Sequence, residues 1–426
     1  MTLGVIADDF TGATDVASML VRAGMRTVQL IGVPDDTVHT DADAVVIALK
    51  SRTTPAADAV RESLAALRWL QRAGMRQCYF KYCSTFDSTP AGNIGPVTEA
   101  LMQALGADFT IACPAFPKNG RTIYRGHLFV GDVLLSDSGM RDHPLTPMRD
   151  ANLVRVLQAQ CRRRVGLLAH ADVAPGAAAI QARMTALRSE GVGIAIADAI
   201  TNDDLRALAA ACVDMPLLTA GSGLALGLPD AYAGRGWLVP DAQAAELGRV
   251  AGRAAIVSGS CSLATNAQVG AWRQAGRPAF AIDARALARG EPVAAQALVW
   301  ARDHIAREPV LVYATASAED LQSVQAEFGA AHAGALVEAC LADVAASLVD
   351  TLGVQRLVVA GGETSGAVVQ ALGVTRLRIG PAICPGVPWT RADDRPADAP
   401  LLLALKSGNF GGRAFFEEAL RWQHST

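Results

Sequence analysis

The feature that most limits the fold is an alternation of short Val- and Ile-rich runs with longer segments of helical periodicity, which continues along the whole chain. This alternation is typical of βαβ units, in which helices cover a parallel sheet. We therefore predict an α/β fold of two domains, each with a mainly parallel sheet flanked by helices. The predicted strands are Leu3–Ala7, Thr27–Ile31, Ala44–Leu49, Cys78–Tyr82, Phe109–Cys113, Ala254–Ser258, Ala279–Asp283, Pro309–Thr315, Leu357–Ala360 and Leu402–Leu405.

Helical patterns separate these runs. Gly24 and Gly74 follow the first two patterns, at the position where a left-handed residue commonly ends a helix. Residues 118–148 combine many Gly, Pro and His with little periodicity, which predicts a long loop or flap. The predicted helices are Asp15–Ala23, Ala56–Ala73, Ile94–Leu105, Leu263–Ala275, Glu291–His304, Ala318–Phe328, Leu336–Leu352 and Ser365–Leu372.

The length of 426 residues favours two or three domains, at roughly 150 residues for each domain. The stretch from Gly227 to Gly252 contains several Gly and Pro and then a predicted Ala/Glu/Arg helix, which is typical of a crossing between domains. We predict an N-terminal domain over residues 1–230, a linker over 231–252 and a C-terminal domain over 253–426.

Charge and hydropathy exclude several functional classes. The net charge is −3 and the longest basic run is Arg162–Arg164, so we expect no nucleic-acid partner and a small-molecule ligand instead. No window has the ~18 unbroken apolar residues of a membrane span, and the acidic start of the chain is unlike a signal peptide. We therefore expect a cytoplasmic protein without a membrane partner. The eight cysteines and seven histidines lack zinc-ligand spacings, and the sequence identifies no metal ligands.

Two acidic residues, Asp8 and Asp9, follow the first predicted strand and precede Thr11, Gly12 and Thr14. Ligands of open α/β sheets bind beyond the carboxyl ends of strands, where a carboxylate can accept a hydroxyl proton. Helix capping by Asp or Thr is the alternative explanation, but one cap needs only one acceptor. We therefore predict that this turn belongs to a ligand site.

A second polar turn follows the fourth predicted strand. It contains one cation, Lys81, one acid, Asp87, and hydroxyls that include Ser84 and Ser88. A polyhydroxy acid suits this mixture, because an ammonium can bind its carboxylate while the other groups bind its hydroxyls. A solvated Ser/Thr loop is the alternative. Arg52, after the third predicted strand, offers a second cation for the same carboxylate.

Three turns in the second half have small residues directly after a strand. Glycines let backbone N–H groups approach phosphate oxygens at the positive end of a helix, so three such turns in one domain favour a nucleotide site. The lysine of a Walker A loop is missing. The turns contain Ser258; Gly361, Gly362, Glu363 and Thr364; and Gly408.

A fourth glycine turn lies at Gly221–Gly227. It approaches the GxGxxG dinucleotide motif but misses its spacing by one residue. No clear strand pattern leads into this turn. We therefore treat the dinucleotide match as false.

These turns, in this order, resemble those of the four-carbon acid sugar kinases, and the similarity runs through essentially the whole chain. The segment KYCSTFDSTPAGN at 81–93 is similar to the branch that phosphorylates O4 of 3-oxo-tetronates, and it differs from the KKIDSTLRGN-like segment of the threonate or erythronate branch. The resemblance is carried by GVIADDFTGATD at 4–15, KYCSTFDSTPAGNIGPV at 81–97, GRTIYRGHLFVGDVLL at 120–135, HPLTPM at 143–148, TAGSGLALGLP at 219–229, SGSCS at 258–262, AGGETSGAVV at 360–369 and SGNFG at 407–411.

The resemblance implies a sugar-acid-binding N-terminal domain, a nucleotide-binding C-terminal domain and an active site in the cleft between them. We expect Asp9, or as second choice Asp87, to orient the attacking hydroxyl. We also expect Mg²⁺ to accompany ATP, and a homodimer is possible. The implied sugar-acid side consists of Asp8, Arg52, Lys81, Ser84 and Ser88, and the implied ATP contacts are Ser258, Gly361, Gly362, Glu363, Thr364 and Gly408.

Three other functions remain open on the sequence alone. A D-threonate or D-erythronate 4-kinase would use the same turns. An NAD(P)-dependent hydroxy-acid oxidoreductase would need the Gly221–Gly227 turn to hold its cofactor. A non-catalytic sugar-acid sensor would leave the three glycine turns of the second half unexplained.

Overall fold

The computed structural model describes residues 1–143, 145–396 and 398–421. The chain divides into two compact units, unit 1 over Met1–Ala245 and unit 2 over Glu246–Thr426. Both are α/β units with sheets that are mainly parallel. The α/β fold with two mainly parallel sheets is therefore confirmed.

Unit 1 contains a parallel sheet of eight strands in the order β2-β3-β1-β4-β11-β5-β10-β9. The central strands β1 and β3 are buried along their whole length, as expected for a sheet covered on both faces. The strands are β1 Leu3–Ala7, β2 Thr27–Ile31, β3 Ala44–Ala48, β4 Gln77–Lys81, β5 Thr110–Cys113, β6 Arg121–Tyr124, β7 His127–Val130, β8 Val133–Leu134, β9 Arg164–Leu168, β10 Val192–Ala197 and β11 Leu217–Ala220.

Two of the three helices predicted in unit 1, Ala56–Ala73 and Ile94–Leu105, form within one residue of their predicted limits, and the five helices after them were not predicted. The Ala/Glu/Arg helix predicted in the linker does not form, because residues 241–250 are turns and irregular structure. Gly24 and Gly74 both have positive φ angles and follow the ends of the first two helices, as predicted. The first helix begins five residues earlier than predicted, because Asp9 caps it. The helices are α1 Phe10–Arg22, α2 Ala56–Arg72, α3 Ile94–Leu105, α4 Leu153–Gln158, α5 His170–Val173, α6 Ala177–Ser189, α7 Asn202–Ala211 and α8 Leu228–Gly234.

Between residues 121 and 134, the flap predicted for residues 118–148 is a small antiparallel sheet in the order β6-β7-β8. Its first turn joins Tyr124 to His127 through Arg125 and Gly126, which both have positive φ angles. A two-residue turn of this kind matches the twist of a hairpin. The prediction of an irregular loop was wrong because the turn glycines were interpreted as a lack of structure.

Unit 2 contains a sheet in the order β13-β14-β12-β15-β18-β17-β16. The first five strands are parallel, whereas β17 is antiparallel to both of its neighbours. The sequence analysis missed β16 and β17, since Gly380 and Pro381 interrupt the first of them. The strands are β12 Arg253–Ser258, β13 Ala279–Ala281, β14 Val310–Tyr313, β15 Val354–Ala360, β16 Arg376–Cys384, β17 Val387–Ala392 and β18 Leu402–Lys406.

Helix α13 of unit 2 contains a segment, His332–Asp350, that is long and apolar enough to cross a membrane by length and composition alone. Its residues Leu341, Val344 and Leu348 are fully buried within the protein, and a core helix passes the same test. The helices of unit 2 are α9 Leu263–Gln274, α10 Ala284–Ala288, α11 Val293–His304, α12 Ala318–Phe328, α13 Ala330–Asp350, α14 Gly362–Ala371 and α15 Phe415–Arg421.

Candidate active site

The polar turns of unit 1 meet because their strands are neighbours. In the register of the sheet, Ala7 at the end of β1 lies beside both Ala48 of β3 and Lys81 of β4. The backbone continues this pairing, since Asp8 N–H donates to the carbonyl of Lys81 and the N–H of Arg52 donates to the carbonyl of Asp8. The residues that follow β1, β3 and β4 therefore share one edge of the sheet.

Arg52 binds both acidic residues of the first turn. Its Nε and Nη2 donate to the two carboxylate oxygens of Asp8, each at 2.8 Å, and Nη2 also donates to Asp9 Oδ1 at 2.7 Å. Burial lowers the pKa of Arg52, but the two carboxylates outweigh it and hold the pKa well above its ordinary value. The guanidinium is therefore charged, and both acids neutralise it.

Asp9 caps helix α1. Its Oδ1 accepts from the N–H of Gly12 at 3.0 Å and its Oδ2 accepts from the hydroxyl of Thr11 at 2.9 Å. Burial alone would raise the pKa of Asp9, but Arg52, Lys81 and these hydrogen bonds lower it to about 2. The capping explanation is thus correct for Asp9, while Asp8 serves the ion pair with Arg52.

Lys81 is almost fully buried, with 3 % of its surface exposed, and its Nζ lies 3.5 Å from Asp9 Oδ1. A Cβ atom on Gly12 would lie 1.8 Å from this Nζ and 2.1 Å from Asp9 Oδ1, so the ion pair requires glycine at position 12. Asp15, which the sequence analysis did not select, also faces Lys81. Burial raises the pKa of Asp15, and Lys81 only partly offsets that effect.

The loop after β4 has a constrained conformation. Cys83 Sγ accepts from the N–H of Asp87 at 3.1 Å, and the buried Phe86 has a φ angle of 53°, which side chains other than glycine rarely adopt. Asp87 Oδ1 is buried and has no hydrogen-bond partner among the described residues. A buried acceptor without a partner is costly in a protein interior, so this oxygen is a candidate contact for a ligand hydroxyl.

The two predicted serines of this loop differ. Ser84 is half-buried, whereas the hydroxyl of Ser88 accepts from Gln160 Nε2 at 2.8 Å. Gln160 also accepts from the N–H of Gly95 and donates to the carbonyl of Thr89. Ser88 therefore helps to hold the loop. Gln160 carries no motif that would have indicated this role.

The Gly221–Gly227 turn follows a strand, β11, although none was predicted there. A Cβ atom on Gly221 would lie 2.9 Å from the carbonyl oxygen of Pro114, and one on Gly223 would lie 2.3 Å from that of Ala115. These glycines allow two backbone segments of unit 1 to pack closely. Their presence needs no bound cofactor.

In unit 2 the three small-residue turns pack against one another. They follow β12, β15 and β18, which are adjacent in the sheet. The N–H groups of Gly259 and Ser260 donate to the carbonyl of Ala360, and the N–H of Gly361 donates to the carbonyl of Lys406. The predicted residues of this half are therefore brought together at one edge of the sheet of unit 2.

Close approach explains the glycines of these turns. Gly361 has a φ angle of 132°, and a Cβ atom there would lie 2.8 Å from Thr364 Oγ1 and 3.2 Å from the backbone nitrogen of Ser260. A Cβ on Gly408 would lie 2.4 Å from Ser260 Oγ. Helix α14 begins at Gly362, so the turn that contains Gly361 precedes a positive helix end suited to phosphate.

Ser258 is fully buried, and its hydroxyl is 2.7 Å from the hydroxyl of Thr315. Its side chain therefore joins β12 to the segment after β14. The turns that follow β12, β15 and β18 form one group, which we call the turn cluster. The hydroxyl of Thr364 lies within it, since a Cβ on Gly259 would come within 2.3 Å of this hydroxyl. Glu363 is exposed on the first turn of α14.

Lys406, at the end of β18, is a fully buried cation that the sequence analysis missed. Its Nζ donates to Thr265 Oγ1 at 3.0 Å, to the carbonyl of Ser407 at 3.1 Å and to that of Gly408 at 2.9 Å. Burial lowers the pKa of Lys406 to about 8, and Cys384 opposes this shift only slightly. Lys406 therefore places a positive charge directly beneath the Gly408 turn. The signal that could have indicated it is a lysine directly before SGNFG.

A cavity of about 420 Å³ adjoins the turn cluster inside unit 2. Gly259, Glu363 and Thr364 line one side of it, and apolar residues of α12 and α13, including Leu321, Val324 and Val337, line another. A volume of this size suits a small molecule, and apolar walls with a few polar groups are typical of such sites. The phosphate-type turns thus adjoin space for a larger ligand.

Known protein families match both parts of the chain. A family model described as a sugar-binding N-terminal domain matches residues 3–228, and one described as a nucleotide-binding C-terminal domain matches residues 255–416. The chain belongs to the four-carbon acid sugar kinase family.

Relatives in this family are similar over nearly the whole chain. A protein of Burkholderia multivorans named 3-oxo-tetronate kinase is 61 % identical over 98 % of this chain and 96 % of its own length. A protein of Pseudomonas fluorescens with the same name is 62 % identical over the same shares. A solved structure from Salmonella typhimurium LT2, described as a candidate tRNA synthase, is 46 % identical, has a TM-score of 0.87 and covers 99 % of both chains.

Proposed function

We propose that the protein is an ATP-dependent kinase that phosphorylates O4 of a 3-oxo-tetronate, either 3-dehydro-L-erythronate or 3-dehydro-D-erythronate. The observation that carries this proposal is the 61–62 % identity to family members named 3-oxo-tetronate kinase, over 98 % of the chain. The chemistry of the two strand edges supports it. Unit 1 offers partners for a polyhydroxy acid, and unit 2 offers partners for phosphates.

The proposal assigns different ligands to the two halves of the chain. We propose that residues 1–230 bind the sugar acid, that residues 253–426 bind ATP and that 231–252 connect them. Phosphoryl transfer requires the attacking and leaving oxygens to lie in line, with little covalent chemistry by the protein. Positioning and charge stabilisation are therefore what the polar groups of both units would supply.

On the nucleotide side, the N–H groups of Gly362 and Thr364 would bind phosphate oxygens at the start of α14. The N–H of Gly361 donates to the carbonyl of Lys406, so Gly361 would contribute by letting a phosphate approach a position that has no Cβ atom. Gly408 would act with them, with the charge of Lys406 beneath its turn. Ser258 would contribute through its backbone, since its hydroxyl already pairs with Thr315. The adjoining cavity would hold the nucleoside part of ATP.

Mg²⁺ would arrive with ATP. The described residues contain no group of three or more His, Cys, Asp or Glu side chains that could hold a metal on their own. This fits a Mg²⁺ ion bound chiefly by phosphate oxygens and water, with one or two carboxylates. Glu363, on the first turn of α14, is the acid in the best place to assist, and the bound ion would neutralise charge on the transferred group.

On the sugar-acid side, Arg52 and Lys81 would donate to substrate oxygens while Asp8 and Asp9 hold both cations in place. Asp87 replaces Asp9 as the preferred group to orient the attacking hydroxyl. The carboxylate of Asp9 already accepts from Thr11, Gly12 and Arg52, and a pKa of about 2 makes it a weak base. Asp87 Oδ1 is buried and lacks a partner among the described residues. Ser84 would complete this side, and Ser88 would hold the loop.

A coupled assay for ADP release tests the proposal. The panel contains ATP with each 3-dehydro-erythronate enantiomer, D-threonate and D-erythronate, and phosphorus NMR of the product locates the new phosphate. We expect kcat/KM at least about 100-fold higher for a 3-oxo acid, with phosphate on O4. Faster turnover of D-threonate or D-erythronate would instead assign the 4-kinase of the other branch, and ADP release with no acid on the panel would contradict both kinases.

The oxidoreductase alternative has no support among the relatives, and the Gly221–Gly227 turn has a packing explanation. Homodimer formation and a cytoplasmic location stay predictions. Light scattering of the purified protein at several concentrations checks the first. Fractionation of cells that express the protein checks the second.

A further inference from the structure

The proposed sugar-acid site is short of positive charge. Arg52 binds the carboxylates of both Asp8 and Asp9, and Lys81 lies beside Asp9 and Asp15. The acids therefore cancel the cations that the sequence analysis selected to bind the substrate carboxylate. A sugar acid that arrives at this cluster would meet no excess positive charge.

Arg121 stands at the same edge of the unit 1 sheet. It is the first residue of β6, and its backbone pairs with Phe116, which follows β5: Phe116 N–H donates to its carbonyl at 2.7 Å and Arg121 N–H donates back at 3.1 Å. Strand β5 lies next to β11, which lies next to β4. Arg121 is thus held beyond the carboxyl ends of the strands, near the loop that follows β4.

The guanidinium of Arg121 is incompletely satisfied. One of its nitrogens donates to the carbonyl of Asn119, but its Nε is buried and has no hydrogen-bond partner among the described residues. No carboxylate of the described part of the chain forms an ion pair with it. Burial lowers the pKa of Arg121, and Asp87 and Cys83 oppose this from beyond ion-pair distance. Arg121 is half-buried as a whole, and a buried N–H without an acceptor on a guanidinium without a counter-charge is costly unless a ligand completes it.

We propose that Arg121 binds the carboxylate of the sugar acid. This inference rests on the proposed function, and it moves the role of carboxylate anchor from Arg52 and Lys81 to Arg121. A guanidinium presents donors in a fork that matches the two oxygens of a carboxylate. An incoming carboxylate would supply both the charge and the acceptors that Arg121 lacks. Selectivity for an acid over an uncharged sugar would then depend on this one side chain.

The test compares Arg121→Gln and Arg121→Lys with Arg125→Gln. Arg125 is an exposed arginine in the turn of the same hairpin, so its replacement removes the same charge. Each variant is assayed for ADP release with the 3-oxo acid and with its primary amide, which has the same shape without the charge. Circular dichroism and the thermal midpoint report whether each variant folds.

We expect Arg121→Gln to lower kcat/KM for the acid about 100-fold, mainly through KM, and to change it less than about threefold for the amide. Arg121→Lys should recover part of the KM for the acid, and Arg125→Gln should stay within about twofold of the wild type. An equal loss for acid and amide would overturn the assignment, because a merely structural role would affect both. If Arg121→Gln fails to fold, the test uses the ratio of kcat/KM for the acid to kcat/KM for the amide in Arg121→Lys. A ratio equal to that of the wild type overturns the proposal. A wild-type protein that phosphorylates neither compound would contradict the proposed function instead.

Discussion

The two units carry different kinds of residue at the strand edges where they are proposed to bind anionic ligands. In unit 1, charged side chains follow the strands and pair with one another, as Arg52 does with Asp8 and Asp9. In unit 2, glycines and hydroxyls follow the strands, the turns are joined by backbone hydrogen bonds, and the buried Lys406 donates to the carbonyl of Gly408. The first edge depends on side-chain chemistry, whereas the second depends on backbone approach.

The difference matches what each site is proposed to distinguish. A sugar acid is defined by the positions of its hydroxyls and its carboxylate, which paired side chains of fixed geometry can discriminate. A phosphate chain presents many equivalent oxygens, which backbone N–H groups at a helix start can bind without discrimination. Substitutions that add a Cβ should therefore damage unit 2 most, and substitutions that unbalance charge should damage unit 1.

The largest effect is expected for Gly361→Val. The new side chain would meet Ser260 N and Thr364 Oγ1 and would need a left-handed backbone. We expect kcat/KM for ATP to fall about 1,000-fold, equivalent to roughly 4 kcal/mol of the barrier, with ADP binding lost in calorimetry. Gly270→Ala, in a helix of the same unit where a Cβ meets nothing within 4 Å, is the matched control. Normal ADP binding by Gly361→Val would show that the turn does not contact the nucleotide.

The second-largest effect is expected for Gly12→Ala, which tests whether unit 1 also depends on side chains packing closely against a glycine. Gly12→Ala would place a Cβ on the ion pair of Lys81 and Asp9. We expect kcat/KM for the sugar acid to fall about 100-fold while ADP binding stays unchanged. Gly139→Ala, which has open space for a Cβ, should behave as the wild type. A loss of ADP affinity in Gly12→Ala would remove the contrast between the two edges.

The roles of the two acids can be separated by Asp87→Asn and Asp9→Asn. We expect Asp87→Asn to lower kcat about 30-fold with little change in KM, because its buried oxygen would orient the hydroxyl. Asp9→Asn keeps a capping side chain and should lower kcat about threefold. Steady-state kinetics at saturating ATP measures both. A larger kcat loss in Asp9→Asn than in Asp87→Asn would restore Asp9 as the base.

The last prediction concerns the stability of unit 2 and not its activity. Lys406 has a pKa of about 8 in the folded protein and about 10.5 when exposed, so between these values the unfolded chain binds more protons. Stability therefore rises with pH across this window, by at most about 3 kcal/mol. The calorimetric midpoint of the wild type should rise relative to that of Lys406→Met between pH 8 and pH 10. Lys118→Met, at an exposed lysine, is the control, and a constant gap would contradict the shifted pKa.

Much of the fold could be predicted because buried parallel strands are continuous apolar runs. Strands β1 to β5 lie within one residue of their predicted limits. The antiparallel elements were missed, since β16 contains Gly380 and Pro381 and the β6-β7 hairpin is divided by Gly126. In the local sequence, glycine and proline indicate the end of a strand. Only the pairing with a neighbouring strand shows that these strands accommodate them.

The same limit applies to the candidate site. The turns that contain Asp8, Asp9, Arg52 and Lys81 could be selected from their position after strands, but not how their charges pair. Nothing in the local sequence indicates that Gln160 would bind Ser88, 72 residues away. Arg121 lies in the segment for which only a long loop or flap was predicted. Side-chain pairing across long separations depends on the sheet order, which local patterns do not encode.

The sequence by itself determined the α/β class, the polar and glycine turns at the strand ends, and the likeness to a kinase family. These properties follow from periodicity and residue type, which are local. Only the tertiary structure decided that Asp9 caps a helix and that Lys406 lies buried beneath a turn. It also decided that Arg52 pairs with two acids, whereas Arg121 has no ion-pair partner among the described residues. Burial and charge balance are sums over neighbours from distant parts of the chain, so they exist only once the strands are side by side.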